Sequence, residues 1–283
     1  MNRHQLRRLL VESRLRWVAA PVHRLAVAVE LGLVQLAEGT SRARHVPDLT
    51  AIIKTFERPR LLRRLVRSLQ RHYPELPIVV ADDSRHPTRL PGVETVVLPF
   101  DSGVSAGRQA ALDRVRTGYT WNLDDDFVVY AGTDASMAVA ALEAHSELDL
   151  IGGVVIDLPH LRRNRASHFG FSATGKAPGL PPGTVIGAGF EVRDKVSNFF
   201  VARTEKLKVV GYTPVLKRLD HADFFTRARG VITSAHCERF VVLHAQTPFD
   251  RHYHSFRDAY CEDQIELMAR YRRPGHRDES GHG

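Results

Sequence analysis

The stretch Tyr119-Thr-Trp-Asn-Leu-Asp-Asp-Asp-Phe127 reads as a short apolar strand that runs, without a turn residue, into three consecutive carboxylates. Adjacent acids repel one another, so such a run is poor for stability unless a cation or hydrogen bonds offset the repulsion. Hard divalent cations take oxygen ligands of this kind, and Mg²⁺ or Mn²⁺ typically uses one or two carboxylates together with phosphate oxygens of a substrate. A solvated acidic turn is the competing reading. It suits a lone Asp-Asp better than a triple acid directly after an apolar strand.

Working outward, the flanking sequence alternates short apolar runs with helical patterns. Leu49 to Ile53 is β-rich and ends at Lys54-Thr55-Phe56, after which Pro59 opens a helix through Leu61, Leu62, Leu65, Val66 and Leu69. Pro77 to Ala81 closes on Asp82-Asp83-Ser84; Glu94 to Leu98 gives a third strand, and Ser105 to Arg116 and Asp134 to His145 give helices. Further strands are predicted at Ile151 to Ile156, Val196 to Ala202 and Arg239 to His244, and helices at Thr204 to Val210 and Ala222 to Arg229. This alternation predicts an α/β fold, a mostly parallel sheet sandwiched by helices. Ligands of such a sheet bind beyond the carboxyl ends of its strands, where Thr55, Asp82, Asp83 and the acids at 124 to 126 should converge.

The chain has 283 residues, 40 Lys+Arg against 32 Asp+Glu, a formal charge of +8 and 43% apolar residues. These proportions exclude a disordered tail protein, a collagen and a small disulfide scaffold, and the basic balance predicts an anionic partner. Two cysteines, Cys237 and Cys261, and no N-x-Ser/Thr acceptor predict a reduced, cytoplasmic setting. The sequence predicts a basic helical segment over residues 1 to 46, a main folded domain over 47 to 271 and a disordered tail over 272 to 283. The apolar run from Val18 to Leu36 is interrupted by Pro21, His23, Arg24 and Glu30, which argues against a membrane-spanning helix. A helix packed on the domain, a dimer contact and a peripheral membrane contact all fit it.

Two glycine-bearing segments suggest phosphate sites. Gly103-Val-Ser-Ala-Gly-Arg108 is a turn at a helix start, where backbone donors and Arg108 would meet an anion; it lacks the glycine spacing of a dinucleotide fingerprint. Gly170-Phe-Ser-Ala-Thr-Gly-Lys-Ala177 approaches a P-loop, but Ala177 brings no hydroxyl for magnesium and Pro178-Gly179 continues no helix, so it is rejected.

Taken in order, Ala51-Ile-Ile-Lys-Thr-Phe-Glu-Arg-Pro59, Val79-Val-Ala-Asp-Asp-Ser84, Gly107-Arg108 and Trp121-Asn-Leu-Asp-Asp-Asp-Phe127 resemble the nucleotide-sugar-dependent glycosyltransferases of the GT-A (Rossmann-like) fold, family 2 type. Asp194-Lys-Val-Ser-Asn-Phe-Phe-Val-Ala-Arg-Thr204 and Asp220-His-Ala-Asp-Phe-Phe225 look more narrowly like the ganglioside-type β-1,4-N-acetylgalactosaminyltransferases. The likeness spans about residues 49 to 246.

That resemblance implies a UDP-sugar donor, Mn²⁺ or Mg²⁺, and an inverting transfer to a hydroxyl of an unidentified acceptor. It implies uracil contacts at Thr55, Phe56 and Asp83, with Asp82 adjacent, and an Asp-x-Asp motif at Asp124 and Asp126 flanking Asp125. Asp126 and the strand-ending His244 become the implied metal ligands. Asn198 is the implied donor-sugar contact, Arg108 and either His252 or His254 assist the leaving diphosphate, and Asp223 is the implied general base. Relatives carry Glu at that last position, so His221 and Asp220 remain alternatives to Asp223. A nucleotidyltransferase would need a glycine-rich signature near the first strand, which Lys54 to Pro59 lacks. A basic nucleic-acid-binding protein should show arginines on one face with interleaved aromatics; here they concentrate in residues 3 to 16 and 58 to 71, so no specific nucleic-acid partner is expected.

Overall fold

A computed structural model describes residues 15–38, 43–164, 179–257 and 260–271. The first half of the sheet is parallel. Strand β1 (Leu49–Thr55) pairs with β2 (Ile78–Asp82) and β4 (Tyr119–Asp124), and β3 (Glu94–Val97) adds outside β2. Helices α2 (Pro59–His72) and α3 (Val104–Leu112) make the crossovers. β1 and β2 are apolar nearly throughout because both faces are covered, which is the sequence habit of central parallel strands. Register does the placing. Thr55 pairs with Asp82 and Lys54 with Asp124, so the polar strand ends fall on one edge.

Beyond β4 the alternation stops, and with it the parallel order. Strand β10 (Phe200–Arg203) lies between β4 and β6 (Leu150–Asp157), antiparallel to both. No helix separates β6 from β10 among the described residues, so the chain returns without the crossover a parallel neighbour requires. The sheet is therefore mixed, in the order β3-β2-β1-β4-β10-β6-β11-β9-β8, and the expectation of a mostly parallel sheet holds only for its β3 to β4 half. β11 (Ser234–His244) starts earlier than the sequence suggested and runs parallel to β6, and short strands β5 (Phe127–Val128), β7 (Arg162–Asn164), β8 (Val185–Ile186) and β9 (Phe190–Val192) add at the margins.

Trp121 anchors the core on one face, with ring centroids of Tyr73 at 5.3 Å, Phe199 at 6.2 Å and Phe240 at 6.3 Å. Helix α4 (Ala135–Ala144), capped by the Asp134 carboxylate, lies on the same face. Helices α5 (Thr204–Val210) and α6 (Asp220–Ala228) bury Leu207, Phe224 and Phe225 on the other, so helices do sandwich the sheet. Truncating Trp121 to alanine should cost about 3 to 5 kcal/mol.

At the N-terminus, α1 (Arg16–Glu38) is one uninterrupted helix that passes through Pro21, forfeiting a backbone hydrogen bond there. By length and composition it is apolar enough to cross a membrane. Its Val27 packs with Val128, Leu158, Leu243 and Ala245, so the segment shares a surface with the domain. Helices α7 (Arg251–Arg257) and α8 (Tyr260–Tyr271) follow β11. The segment 170–177 and the tail from 272 lie outside the described residues.

Candidate active site

The acidic run is shaped by a two-residue strand. After β4 ends at Asp124, the chain turns into β5, which pairs antiparallel with the end of β11 and sets His244 opposite Phe127. Ala245 N–H then donates to the Asp126 carbonyl at 3.0 Å. His244 Nε2 consequently stands 3.2 Å from Asp126 Oδ2, while its Nδ1 is 2.8 Å from Asp157 Oδ1 at the end of β6. Three strand ends thus build one carboxylate, imidazole, carboxylate array.

Two nearly buried arginines neutralise the rest of the run. Arg58, at the start of α2, donates to Asp125 and, at 3.0 Å, to the same Oδ2 of Asp126 that faces His244. Arg108 on α3 bridges Asp124 and Asp220. Burial pushes the Asp126 carboxyl up, but the His244 and Arg58 charges outweigh it and hold the group well below the ordinary carboxylate range. Burial likewise lowers the His244 imidazolium, and the Asp126 and Asp157 charges reverse this and lift it to about 10. Asp125, wholly enclosed, is pushed up to about 6 by burial against the pull of Arg58.

The β1 and β2 ends are tied to this edge. Thr55 Oγ1 donates to Asp125 Oδ2 at 2.7 Å. Asp83 pairs with Lys54 and accepts from Gly103 N–H at 2.8 Å. The glycine turn is accordingly a packing device: Gly103 has φ +98°, and a Cβ on Gly107 would sit 2.5 Å from the Lys54 side chain. Asp82 accepts from Ser84 N–H at 2.9 Å and Thr88 N–H at 2.8 Å, which uses it to form its own loop. The Phe56 ring is buried between Phe100 and Phe256, at centroid distances of 5.5 and 5.0 Å.

Several expectations therefore change. Arg108 is spent between two carboxylates and does not stand as a free phosphate donor. Asp223 is not drawn to the cluster: Oδ2 accepts from Thr213 Oγ1 at 2.6 Å and Arg227 Nε at 2.8 Å, and Oδ1 from Tyr271 O–H at 2.6 Å. With both oxygens engaged and 1% exposure it ties α6 to α8 and cannot take an acceptor's proton without breaking that network. Asp220, three residues earlier on α6, is the carboxylate joined through Arg108 to Asp124. His221 Nε2 lies 2.7 Å from the Val196 carbonyl, and burial followed by the Lys195 charge brings it down to about 3. The Asn198 carbonyl accepts from Asn122 Nδ2 at 2.7 Å, so its backbone abuts β4. His252 reaches Glu57 at 2.6 Å, whereas His254 reaches the Thr247 carbonyl at 3.2 Å.

Lys54, Arg58 and Asp157 are the residues that sequence reading missed. Lys54 breaks an otherwise apolar strand and Arg58 directly precedes the helix-opening Pro59, and both signals were legible. Asp157 announces itself only through the parallel register of β6 and β11, which pairs it with His244.

With the Nε2 proton of His244 released, as a metal ligand requires, the donor set fits a divalent cation. A histidine whose second nitrogen is held by a carboxylate is the usual outer-shell arrangement of a metal-binding imidazole, and here Asp157 aims Nε2 at Asp126. Among the described residues no group of three His, Cys, Asp or Glu side chains is arranged to hold an ion. In such a site Asp126 and His244 would be the protein's share, with further positions left to substrate oxygens or water.

The mixed sheet flanked by helices is that of the GT-A glycosyltransferases. A solved structure of S. aureus TarS 1-349 in complex with UDP-GlcNAc aligns with TM-score 0.52 at 15% identity, over 78% of this chain and 66% of that one. GalNAc-T7 with UDP, GalNAc and Mn²⁺ gives TM-score 0.52 at 15% identity over 78% and 49% of the two chains. The family model described as Glycosyl transferase family 2 matches residues 50–210, and the chain belongs to that family. It is 38% identical to human β-1,4 N-acetylgalactosaminyltransferase 1 over 82% of this chain and 44% of that protein. It is 33% identical to mouse β-1,4 N-acetylgalactosaminyltransferase 2 over 71% and 40%. The chain thus spans less than half the length of these relatives.

Proposed function

We propose that this glycosyltransferase domain transfers a sugar, N-acetylgalactosamine or another N-acetylhexosamine, from a UDP-sugar to an acceptor hydroxyl with inversion, assisted by Mn²⁺ or Mg²⁺. The observation that carries the reading is the Asp126, His244 and Asp157 array at the carboxyl edge of the sheet. The names of the N-acetylgalactosaminyltransferase relatives, and the UDP-GlcNAc and UDP, GalNAc and Mn²⁺ contents of the fold neighbours, support the donor class.

Asp126 and His244 would hold the ion, which when bound offsets negative charge on the departing diphosphate. Asp157 keeps His244 oriented, and Arg58 fixes the Asp125 and Asp126 carboxylates. Thr55 and Asp83 stand at the adjacent strand ends, where the uridine would lie; with Asp83 tied to Lys54 and Gly103, it would shape that pocket through those partners. For the acceptor we assign proton removal to Asp220. Burial raises its carboxyl above the ordinary carboxylate value against the pull of Arg108, the direction that makes a carboxylate a stronger base.

The test is a thermal-shift series with UDP, GDP and no nucleotide, each with and without Mn²⁺, followed by UDP release from UDP-N-acetylgalactosamine. Stabilisation by UDP that requires Mn²⁺ and vanishes in Asp126→Ala is expected. Preference for GDP, or nucleotide binding indifferent to metal, overturns the site as assigned.

A further inference from the structure

Helix α1 carries two apolar faces, and the domain covers one of them. Val27, Leu31 and Val34 pack inward on Val128, Leu158, Leu243 and Ala245. On the outer side Val18, Val22, Leu25, Val29, Leu33 and Leu36 recur at steps of three and four, and are 51–80% exposed. Trp17, at the start of the helix, is 73% exposed. A continuous apolar stripe of this length on a protein surface marks a contact with something else.

What surrounds the stripe is basic. A groove of about 1050 Å³ separates α1 from the start of α2, and six arginines, among them Arg24, Arg60 and Arg251, line it against two acids, Glu57 and Asp250. Helix α2 contains five arginines and no acid, and Arg60, Arg63, Arg67 and Arg71 are exposed. The sequence leading into α1 adds Arg3, Arg7, Arg8 and Arg14 against the single acid Glu12.

We propose that the outer face of α1, with the arginine face of α2 beside it, docks the protein on an anionic lipid bilayer, α1 lying in the interface plane. Apolar side chains with an aromatic at one end enter the headgroup boundary, while flanking arginines are drawn to anionic lipid. A spanning orientation would strip Val27, Leu31 and Val34 from the domain and carry Arg24 and Glu30 into the hydrocarbon. A second copy on the same face would bring two identical arginine surfaces together, with like charge opposing contact. The groove also contains Arg58, which fixes Asp125 and Asp126, so the docking helix lies next to the acidic edge. The inference stands apart from the UDP-sugar reading, because its readout needs no substrate.

The experiment is flotation of the full chain with vesicles of phosphatidylcholine alone and of phosphatidylcholine with roughly a third phosphatidylglycerol. Binding to the anionic vesicles that high salt weakens and alkaline carbonate releases is expected. Leu25→Glu/Val29→Glu should abolish it, and Arg63→Gln/Arg67→Gln should weaken it roughly tenfold, both variants keeping the wild-type circular dichroism and melting temperature. Because these side chains are exposed, a folding failure is not expected; should the Glu variant melt early, the Gln variant carries the test alone. Equal binding to neutral vesicles, retention after carbonate, or no binding overturns the inference. So does a lipid-free dimer by light scattering that Leu25→Glu/Val29→Glu dissociates.

Discussion

Asp126 and Asp223 are both buried carboxylates held below their ordinary range, yet they are built differently. Asp126 meets Arg58 and His244 through a single oxygen, Oδ2, and both partners are cationic. Asp223 spends both oxygens on three donors from the α5–α6 loop, its own helix and α8. Burial and the direction of the pKa therefore do not distinguish a reactive acid from a structural one. Directional saturation does: an acid with an oxygen left over and cations around it can exchange one cation for another, and a saturated acid can only be broken.

The sharpest way to break that contrast is Asp126→Ala. Loss of Mn²⁺-dependent UDP release by about a hundred- to a thousandfold is expected. Stability should change by no more than about 2 kcal/mol, since Arg58 keeps Asp125 and His244 keeps Asp157. A large drop in melting temperature with residual turnover would make Asp126 structural. Asp223→Asn should do the reverse. The amide cannot accept from all three donors, so about 3 kcal/mol and roughly 5 to 10 °C of melting temperature should go. UDP release measured well below the new melting point should stay within about tenfold of wild type. Collapse of turnover in a folded Asp223→Asn protein would restore it as the base.

The sequence made this edge legible because strand ends are marked by abrupt changes from apolar to acidic, as at Leu123-Asp124 and Ala81-Asp82. It could not separate Asp220 from Asp223. Only Asp223 precedes an apolar pair, Phe224-Phe225, but both acids fall in the first turn of α6 and suit a helix N-terminus; what divides them is that Arg108 comes from α3 and Tyr271 from α8, elements distant in sequence. The antiparallel entry of β10 was hidden for a related reason. The apolar run Phe199 to Ala202 reads the same in either direction, and only its neighbours β4 and β6 fix which way it runs. Phe56 shows the converse difficulty: an aromatic at a strand end reads as a base platform, while the structure encloses it with Phe100 and Phe256, the latter contributed by α7.

A smaller effect sharpens the contrast within the edge itself. Thr55→Val removes the hydroxyl that donates to Asp125, which should cost about 1 to 2 kcal/mol while Arg58 still holds the carboxylate. Turnover should fall far less than in Asp126→Ala. Equal losses would mean that Asp125, although saturated and enclosed, shares the work of Asp126.

The smallest expected effect is the pH dependence of the Asp223 network. Burial pushes this carboxyl up, but hydrogen bonds from Thr213, Tyr271 and Arg227 bring it below its usual 3.8. A carboxyl depressed by folding stabilises fully above its unfolded value, and the contribution drains away as pH falls through the folded one. Once protonated, the wild-type group is as poor a partner for Arg227 as the amide of Asp223→Asn. The gap in melting temperature between the two proteins should therefore be constant from neutral pH to about 5 and narrow below about 4. A gap that widens on acidification, or closes already at pH 6 to 7, would show that the stabilising charge belongs to another group and that Asp223 is not the saturated acid the hydrogen bonds describe.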